Sequence, residues 1–291
     1  MPRLSVAAFD DKEAVPERLL SVLERAARWL AERGIGNARR EAEWIFADTL
    51  GLSRLELYTR FDMPLDGEEL ARLRARVQRR GRREPLAYIL GWQPFAGLQL
   101  MVTPAVLVPR PETEELVARA LGELPRTARR ALDVGTGSGA IALALKRARP
   151  ELAVVATEIS AEALAVARAN GARLALDIDW RCCDLATAVA EPCDLVVANL
   201  PYIADDERAL CDPELAYEPE LALFPGGDGL GPIRRLLADA QRLLAPDGVL
   251  WLEHGFRQGA AVAAEAAAHG LRALPHRDAA GTWRYAEVRR A

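Results

Sequence analysis

Apolar side chains recur at helical spacing through the first third of the chain. Residues 19–30 place them on one helix face ahead of Gly34, a typical stop, and residues 38–50 repeat the pattern. Asp66 precedes two glutamates and predicts the N-cap of a further helix, because carboxylates are favourable at a helix start. The spacing therefore predicts a small helical domain over residues 1–84.

The last of these helices carries a run of positive charge. The run consists of Arg72, Arg74, Arg76, Arg79, Arg80, Arg82 and Arg83. A run of like charges is most often a solvated helix face. The alternative is a docking surface for RNA or for an RNA-associated protein. The sequence favours the first interpretation and leaves the second open.

Pro85 ends the helical pattern, and the composition then shifts to aromatic residues, glycines and β-branched residues. This composition is typical of a short hairpin or an extended linker. We therefore predict a β-hairpin linker over residues 85–108. The prolines of Pro109-Arg-Pro-Glu-Thr-Glu114 then fix extended backbone ahead of a helix that begins near Thr113.

From residue 131 short apolar runs alternate with amphipathic segments. The runs predict strands at 131–134, 153–157, 180–183, 195–198, 249–253, near Leu271 and at 282–288. The segments between them predict helices at 140–148, 161–170, 232–244 and 258–269. Alternating strands and helices predict a largely parallel, Rossmann-like α/β sheet covered on both faces. This second domain spans residues 109–291.

Composition and charge narrow the possible partners. The net charge of −4 over 291 residues gives no overall attraction to nucleic acid or to an anionic membrane. No apolar run reaches the roughly 20 residues that span a bilayer, and Met1–Asp10 lacks an apolar signal core. The cysteines, which show neither metal-ligand spacing nor a disulfide framework, predict reduced thiols in a cytoplasmic protein. They are Cys182, Cys183, Cys193 and Cys211.

Glycines alternate after the first strand of the second domain, at Gly135, Gly137 and Gly139. They permit a sharp turn and the close approach of a ligand, and the N–H groups of the next helix can hold polar or anionic groups. Glu158 ends the second strand, where a carboxylate can accept both ribose hydroxyls. These features indicate a nucleotide-bearing cofactor. The pattern G-x-G-x-x-A allows NAD, and the alternate glycines also resemble motif I of S-adenosylmethionine-dependent methyltransferases.

Asn199-Leu-Pro-Tyr202 follows the fourth strand, at the sheet edge where open α/β sheets bind ligands. The Asn199 side-chain oxygen and the backbone carbonyl of Leu200 can each accept one N–H from a substrate amino group. Pro201 stiffens the loop, and Tyr202 offers an aromatic face for a flat group. The motif is similar to the (Asn/Asp)-Pro-Pro-Tyr signature of methyltransferases that act on amino groups conjugated to planar systems.

The flanking motifs make the resemblance more specific. They are Glu84-Pro-Leu-Ala-Tyr-Ile-Leu-Gly91, Phe95-Ala-Gly97, Val106-Leu-Val-Pro-Arg-Pro-Glu-Thr-Glu114, Glu218-Pro219, Gly226-Gly-Asp-Gly-Leu230 and Leu252-Glu-His-Gly255 with Gln258. Over nearly the whole chain this set resembles the bacterial release-factor glutamine methyltransferase family. The resemblance implies a class I methyltransferase sheet and methyl transfer from S-adenosyl-L-methionine, with S-adenosyl-L-homocysteine as product. The implied substrate is the glutamine of the Gly-Gly-Gln motif in class 1 peptide chain release factors, with no metal, no nucleic acid and no membrane required.

The same resemblance assigns roles residue by residue. The cofactor-binding residues that it implies are Gly135, Thr136, Gly137, Ser138, Gly139, Glu158, Asp184, Leu185 and Asn199. The catalytic and substrate-binding residues that it implies are Asn199, Leu200, Pro201 and Tyr202. Within this set Glu158 takes the ribose, while Asp184 and Leu185 take the adenine amino group and ring. The N-terminal helices help to hold the substrate protein.

Three positions depart from the family pattern. Leu200 replaces a proline, but the group required there is a backbone carbonyl. We therefore expect the substrate clamp, formed by the Asn199 side-chain oxygen and this carbonyl, to survive. Leu100 stands where phenylalanine is common near the cofactor, and Leu185 where tryptophan is frequent, so aromatic packing around the cofactor weakens. Residues 203–230 form a long segment beside the proposed site, and we expect it to order around the substrate loop.

Other functions stay open from the sequence. A ribosomal-protein glutamine methyltransferase would share almost every catalytic residue, and an adenine-N6 methyltransferase of RNA or DNA carries a similar Asn-Leu-Pro-Tyr motif. An NAD-dependent oxidoreductase fits the glycine loop but lacks a candidate proton relay. A catalytically silent binding module is disfavoured by Asn199.

Overall fold

The helices of the first unit pack their apolar faces against one another. The computed structural model describes residues 17–291 and divides into two compact units, the first ending at Leu90. The helices of this unit are α1 (Leu19–Ala31), α2 (Ala38–Leu50), α3 (Arg54–Thr59), α4 (Gly67–Gly81) and α5 (Leu86–Leu90). Its core holds Leu23, Leu30, Ile45, Phe46 and Leu73, all nearly inaccessible to solvent. The first sixteen residues of the helical domain predicted over 1–84 lie outside the described residues.

Asp66 caps α4, as the sequence predicts. Its side chain accepts a hydrogen bond from Glu69 N at 2.7 Å, and the Glu69 carboxylate accepts one from Asp66 N at 2.9 Å. This reciprocal pair is a capping box, which satisfies two N–H groups that a helix start otherwise leaves without partners.

Part of the arginine run on α4 serves inside the first unit. Arg76 pairs with Asp48 at 2.5 Å, Arg79 pairs with Glu84, and the buried Arg80 pairs with Glu41 of α2. These three side chains connect α4 to neighbouring segments of the same unit, so they do not form a continuous solvated face.

Residues 86–90 are helical, where the sequence predicts a hairpin or extended chain. Ala87, Tyr88 and Ile89 are buried, and α5 contacts α2 and α4. A short apolar run has no periodicity that separates strand from helix, so burial against neighbouring helices decides the outcome. The predicted hairpin follows in the second unit, with β1 (Trp92–Phe95) antiparallel to β2 (Leu98–Met101).

The second unit is built on a seven-stranded sheet within the described residues. Its strands are β3 (Arg130–Val134), β4 (Ala153–Glu158), β5 (Asp179–Cys182), β6 (Cys193–Ala198), β7 (Leu244–Glu253), β8 (Leu271–Arg277) and β9 (Trp283–Arg290). The order is β5-β4-β3-β6-β7-β9-β8, and only the pairs that include β9 are antiparallel. The strand positions match the sequence prediction, except that β7 begins five residues earlier than predicted.

Helices cover both faces of this sheet, as predicted from the alternating pattern. They are α6 (Pro111–Glu123), α7 (Ala140–Ala148), α8 (Ala161–Leu174), α9 (Gly231–Leu243) and α10 (Gly259–Ala268). Successive residues of β6 point to opposite layers: Leu195 and Val197 belong to one apolar cluster, while Val196 and Ala198 belong to the other. Such near-continuous burial is typical of a parallel strand with both faces covered.

The strand order reverses between β3 and β6, because the chain runs outward from β3 through β4 and β5 before returning beside β3. At such a point the loops after adjacent strands diverge and leave a crevice beyond the carboxyl ends of the strands. Within residues 17–291, no helix combines the length and the apolar character needed to cross a bilayer.

Candidate active site

A cavity of about 590 Å³ lies beyond the carboxyl ends of β3, β4 and β6. Its volume falls in the range of pockets that hold cofactors and drug-sized ligands. The predicted site residues among its lining are Gly135, Thr136, Gly137, Ser138, Glu158, Asp184, Leu185, Asn199, Leu200 and Pro201. The fold thus brings residues from four separate loops to one cavity.

Two glycines after β3 have different steric roles. A Cβ on Gly137, whose φ is +55°, would meet no atom within 4 Å, so this position faces open space at the cavity. A Cβ on Gly135 would lie 3.0 Å from Leu200 Cδ2, so the glycine loop and the loop after β6 approach closely here. Gly137 therefore leaves room for a ligand, and Gly135 lets the glycine loop and the loop after β6 pack together.

Asp133 stabilises this glycine turn through hydrogen bonds, although no role for it was predicted from the sequence. It is fully buried at the end of β3, and its Oδ2 accepts hydrogen bonds from Thr136 Oγ1 at 2.5 Å and from Ala142 N at 3.0 Å. Burial raises the pKa of this carboxyl to about 7, against the opposing effect of the two donors. Asp133 therefore connects the glycine loop to the first turn of α7.

Glu158 lies at the end of β4 and lines the cavity. Its two oxygens accept backbone hydrogen bonds, Oε2 from Gly137 N at 2.9 Å and Oε1 from Ser160 N at 3.0 Å. A carboxylate has about four lone-pair positions, so two remain for hydroxyl donors of a ligand. The backbone bonds fix the direction in which those positions face.

Asp184 and Leu185 follow β5 and also line the cavity. Asp184 Oδ2 accepts a hydrogen bond from Arg235 Nη2 of α9 at 2.5 Å, in an ion pair whose two side chains are about half exposed. Leu185 has a φ of +47° and packs partly against the apolar cluster beneath it. Leu100, by contrast, is fully buried in the core and does not line the cavity. Its departure from the family pattern therefore bears on core packing.

Asn199 lies at the cavity with one end of its amide occupied. Nδ2 donates to Thr113 Oγ1 at 2.8 Å, and Thr113 Oγ1 in turn donates to Glu253 Oε2 at 2.9 Å. Because Thr113 takes the amide nitrogen, the amide oxygen Oδ1 is the end left for another partner. This is the acceptor that the proposed substrate clamp requires.

Tyr202 does not line the cavity, although its ring was predicted to contact the substrate. Its hydroxyl donates to Glu253 Oε1 at 3.0 Å and accepts from Arg284 Nη1 at 3.4 Å. Burial raises the pKa of the Tyr202 phenol and also that of the Glu253 carboxyl. The structure therefore places Tyr202 behind the loop, where it joins the loop to the sheet through the end of β7.

The segment 203–230 is ordered beside this loop, as predicted. It contains three short 3-10 turns, and Pro219, Leu221, Ala222, Phe224 and Pro225 line the cavity. Gln258 Nε2 donates both to Tyr202 O at 2.9 Å and to Asp228 O at 3.1 Å, so one amide ties the two loops together. At the other end Glu218 is buried and accepts from Val108 N at 2.9 Å.

Comparison with known proteins identifies the family. The profile described as PrmC N-terminal domain matches residues 21–91, and the profile described as methyltransferase small domain matches residues 113–229. The release factor glutamine methyltransferase of Geobacter sulfurreducens is 43% identical over 83% of this chain and 85% of its own. That of Deinococcus radiodurans is 38% identical over 94% of this chain and 99% of its own. The chain belongs to the release factor glutamine methyltransferase family.

A solved structure supports the fold alone. A methyltransferase from Pyrococcus furiosus matches with a TM-score of 0.51 and 21% identity, over 66% of this chain and 88% of that one. The glycine loop, which by itself also allowed NAD, lies inside the stretch matched by the methyltransferase profile. Membership of the release factor glutamine methyltransferase family therefore settles the fold class as that of a class I methyltransferase.

In this member of the release factor glutamine methyltransferase family, three side chains besides Asp133 have roles at the site that were not predicted from the sequence: Thr113, Glu253 and Gln258. All three lie in motifs that carry the family resemblance, yet their roles depend on contacts between segments far apart in sequence. Thr113 is 86 residues from Asn199 and 140 from Glu253. Neither periodicity nor spacing along the chain carries that information. Within residues 17–291 there is no cluster of three or more His, Cys, Asp or Glu side chains arranged to hold a metal ion.

Proposed function

We propose that this chain transfers a methyl group from S-adenosyl-L-methionine to the side-chain amide nitrogen of the glutamine in the Gly-Gly-Gln motif of class 1 release factors. The observation that carries the proposal is the orientation of Asn199, whose Nδ2 donates to Thr113 so that Oδ1 is left for a substrate N–H. The 43% identity to a release factor glutamine methyltransferase also supports this substrate. The product would be S-adenosyl-L-homocysteine.

The cavity fits this cofactor on steric and chemical grounds. The open space at Gly137 leaves room beside the glycine loop, and the remaining lone pairs of Glu158 suit two ribose hydroxyls. Asp184 and Leu185 offer an acceptor and an apolar surface for an adenine. Backbone N–H groups at the start of α7, whose N-cap has no side-chain partner, suit a carboxylate. When bound, the cofactor supplies a methyl group attached to positively charged sulfur, which is already activated for transfer.

The chain's own contribution is to position the amide. An amide nitrogen is a weak nucleophile because its lone pair is delocalised into the carbonyl. Asn199 Oδ1 and the carbonyl of Leu200 would each accept one N–H of the glutamine side chain and so fix its nitrogen. Holding two reacting groups in line lowers the activation free energy, by about 7–11 kcal/mol in favourable cases, because the entropy of bringing them together is already lost on binding. Leu200 serves here as well as a proline would, because only its backbone carbonyl is required.

The two units would divide the work. The helical domain, predicted over residues 1–84, would hold the release factor, and the linker 85–108 would connect it to the methyltransferase domain 109–291. Family membership and the match of residues 21–91 to the PrmC N-terminal domain support this division. The reaction needs neither nucleic acid nor a membrane, and a protein that modifies release factors would act in the cytoplasm.

Methylation of purified substrates tests the proposal. The protein is incubated with methyl-labelled S-adenosylmethionine and, separately, with a class 1 release factor, ribosomal RNA and ribosomal proteins. We expect label in the release factor alone, located by mass spectrometry on the Gly-Gly-Gln glutamine. A release factor whose glutamine is replaced by glutamate is the matched control and should take no label. Label in RNA or in a ribosomal protein alone would refute the proposal in favour of the corresponding alternative.

The Asn199→Ala variant tests the clamp itself. Turnover should fall by at least about 100-fold, since removing a positioned hydrogen-bonding group at a reacting centre typically costs about 10²–10³ in kcat. The dissociation constant for S-adenosylmethionine, measured by calorimetry, should stay within about twofold of the unmodified protein. An equal loss of cofactor affinity would contradict the assignment of Asn199 to the substrate amide.

A further inference from the structure

Two sequence motifs without an assigned role meet behind Asn199. Thr113 comes from the motif at 109–114 and Glu253 from the motif at 252–255, and both are buried. Asn199 Nδ2 donates to Thr113 Oγ1 at 2.8 Å, and Thr113 Oγ1 donates to Glu253 Oε2 at 2.9 Å. The other oxygen of Glu253 accepts from the Tyr202 hydroxyl at 3.0 Å. One carboxylate therefore anchors both ends of the Asn199–Tyr202 loop.

The direction of every hydrogen bond in this group is fixed from its far end. Arg284 has donors only, so the Tyr202 hydroxyl accepts from Arg284 and gives its own proton to Glu253. Glu253 is the acceptor on both of its oxygens, Oε1 from the Tyr202 hydroxyl and Oε2 from the Thr113 hydroxyl. Thr113 has then used its single proton and can only accept from Asn199. Its neighbour must therefore be the NH2 end of the amide.

We infer that Glu253 and Thr113 are positioning residues that turn the Asn199 side chain so that Oδ1, and not Nδ2, faces the substrate amide. A free asparagine amide can rotate by 180° with little change in shape, but the two orientations differ chemically. With Nδ2 toward the cavity, a donor would face the donor N–H of the substrate, and the clamp would lose one of its two acceptors. The inference rests on the function proposed above and adds the device that keeps the clamp correctly oriented.

The hydrogen bonds that run from Tyr202 through Glu253 and Thr113 to Asn199 form a relay. The Glu253→Gln variant should reverse the donors and acceptors of its last two bonds with almost no change in side-chain volume. Because Arg284 still forces Tyr202 to donate, the carbonyl of the introduced glutamine must stay on Tyr202, and its NH2 group must point at Thr113. Thr113 then accepts from residue 253, and its own proton becomes available to Asn199, where only Oδ1 can accept it. The amide flips, and we expect kcat to fall about 100-fold with the S-adenosylmethionine dissociation constant unchanged within about twofold. Glu287→Gln, at another buried carboxylate of the sheet, is the matched control and should keep full activity.

A double substitution separates the hydrogen-bond effect from a loss of packing, because a second packing defect would not restore activity. In Asn199→Asp alone, residues 199 and 253 are both acceptors and compete for the single proton of Thr113, so activity should fall about 100-fold. Adding Glu253→Gln frees that proton for the introduced aspartate, whose other oxygen then faces the substrate as an acceptor. We expect the double variant to be at least about tenfold more active than either single variant. A double variant no more active than the more active of the two single variants would overturn the inference.

Thr113 gives the corresponding conservative pair. Thr113→Ser keeps the hydroxyl and should retain activity within about threefold, whereas Thr113→Val removes the relay and should match the loss in Glu253→Gln. Equal activity of the serine and valine variants would contradict the relay. Melting temperatures within a few degrees of the unmodified protein establish that each variant is folded.

A readout independent of turnover separates this inference from the proposed function. The chain contains three asparagines, Asn37, Asn170 and Asn199, so amide-labelled asparagine gives three side-chain NH2 signals by NMR. We expect the Asn199 protons to exchange slowly in the unmodified protein and quickly in Glu253→Gln. The Asn170 signal, whose Nδ2 donates to Ser138 O at 3.0 Å, should not change. Unchanged Asn199 exchange in Glu253→Gln would overturn the relay, whereas absence of release-factor methylation by the unmodified protein would refute only the proposed function.

Discussion

Replacing Asp133 by asparagine tests how the glycine loop is held. This carboxyl is fully buried, and its Oδ2 accepts from Thr136 and Ala142. Burial raises its pKa from 3.8 to about 7. An asparagine can keep both accepted hydrogen bonds through its own oxygen but carries no charge at any pH. Its NH2 group would take the place of Asp133 Oδ1, which has no hydrogen-bond partner among the described residues.

The sign and the size of the effect follow from proton linkage. Because the folded-state pKa lies above the unfolded one, the native state binds more protons between these values. The stabilisation is therefore complete below about pH 4 and is lost as the pH rises through 7. From about pH 5 to about pH 8.5 the loss covers roughly two pH units at about 1.36 kcal/mol each, or about 3 kcal/mol in total. In Asp133→Asn this contribution is absent at every pH.

The assay is urea denaturation followed by circular dichroism at several pH values between about 5 and about 8.5. We expect the free energy of unfolding of the unmodified protein to fall relative to that of Asp133→Asn by about 3 kcal/mol over this range. Any constant cost of burying the new NH2 group cancels in that comparison. Asp194→Asn is the control, because one oxygen of Asp194 also accepts two hydrogen bonds, from Arg129 N and Arg130 N, but the residue is partly exposed. Parallel pH profiles of the unmodified and Asp133→Asn proteins would refute the reasoning.

Two further substitutions test the walls of the site. A Cβ on Gly229 would overlap Tyr202 O and lie 2.7 Å from Gln258 Nε2, so Gly229→Ala should lower kcat at least about tenfold in steady-state methylation. Gly226→Ala is the control with a similar positive φ but open space, and equal losses would mean that backbone strain alone acts. Glu158→Gln should weaken S-adenosylmethionine binding about tenfold by calorimetry, since hydrogen bonds to charged groups contribute about 1.5–3 kcal/mol. Glu162→Gln, also in the cavity wall, should bind normally, and an unchanged affinity in Glu158→Gln would remove Glu158 from the ribose.

The centre of the sheet was predictable because its strands β3, β4 and β6 are buried on both faces. A segment such as Cys193–Ala198 is apolar at nearly every position, and the amphipathic helix Gly231–Leu243 separates it from the next strand along the chain. The helix Leu86–Leu90 was not predictable, because five apolar residues fit either a strand or a helix and tertiary packing decides. The early start of β7 at Leu244 has a similar cause, since Pro246, Asp247 and Gly248 in this stretch are typical of turns.

Some residues of the candidate site could also be predicted from the sequence, and others could not. Groups that contact a ligand through the backbone or the end of a strand could be placed from the sequence, because loop chemistry and strand order together locate them. Groups that act through another side chain could not be placed. Tyr202 shows the difference: its aromatic ring suits a flat substrate, yet its hydroxyl bonds to Glu253 and places it behind the loop. A residue type limits the chemistry of a position, but only the fold determines the side from which that chemistry acts.

Leu200 shows how the two loops of the site constrain each other. Its side chain is buried and lies close to Gly135, where a Cβ would come within 3.0 Å of Leu200 Cδ2. The leucine that replaces the family's proline is therefore accommodated by a glycine in the cofactor loop. Any larger residue at 135 would push Leu200 and, through the backbone, Asn199. The absence of a side chain at Gly135 therefore bears on substrate positioning as much as on cofactor binding.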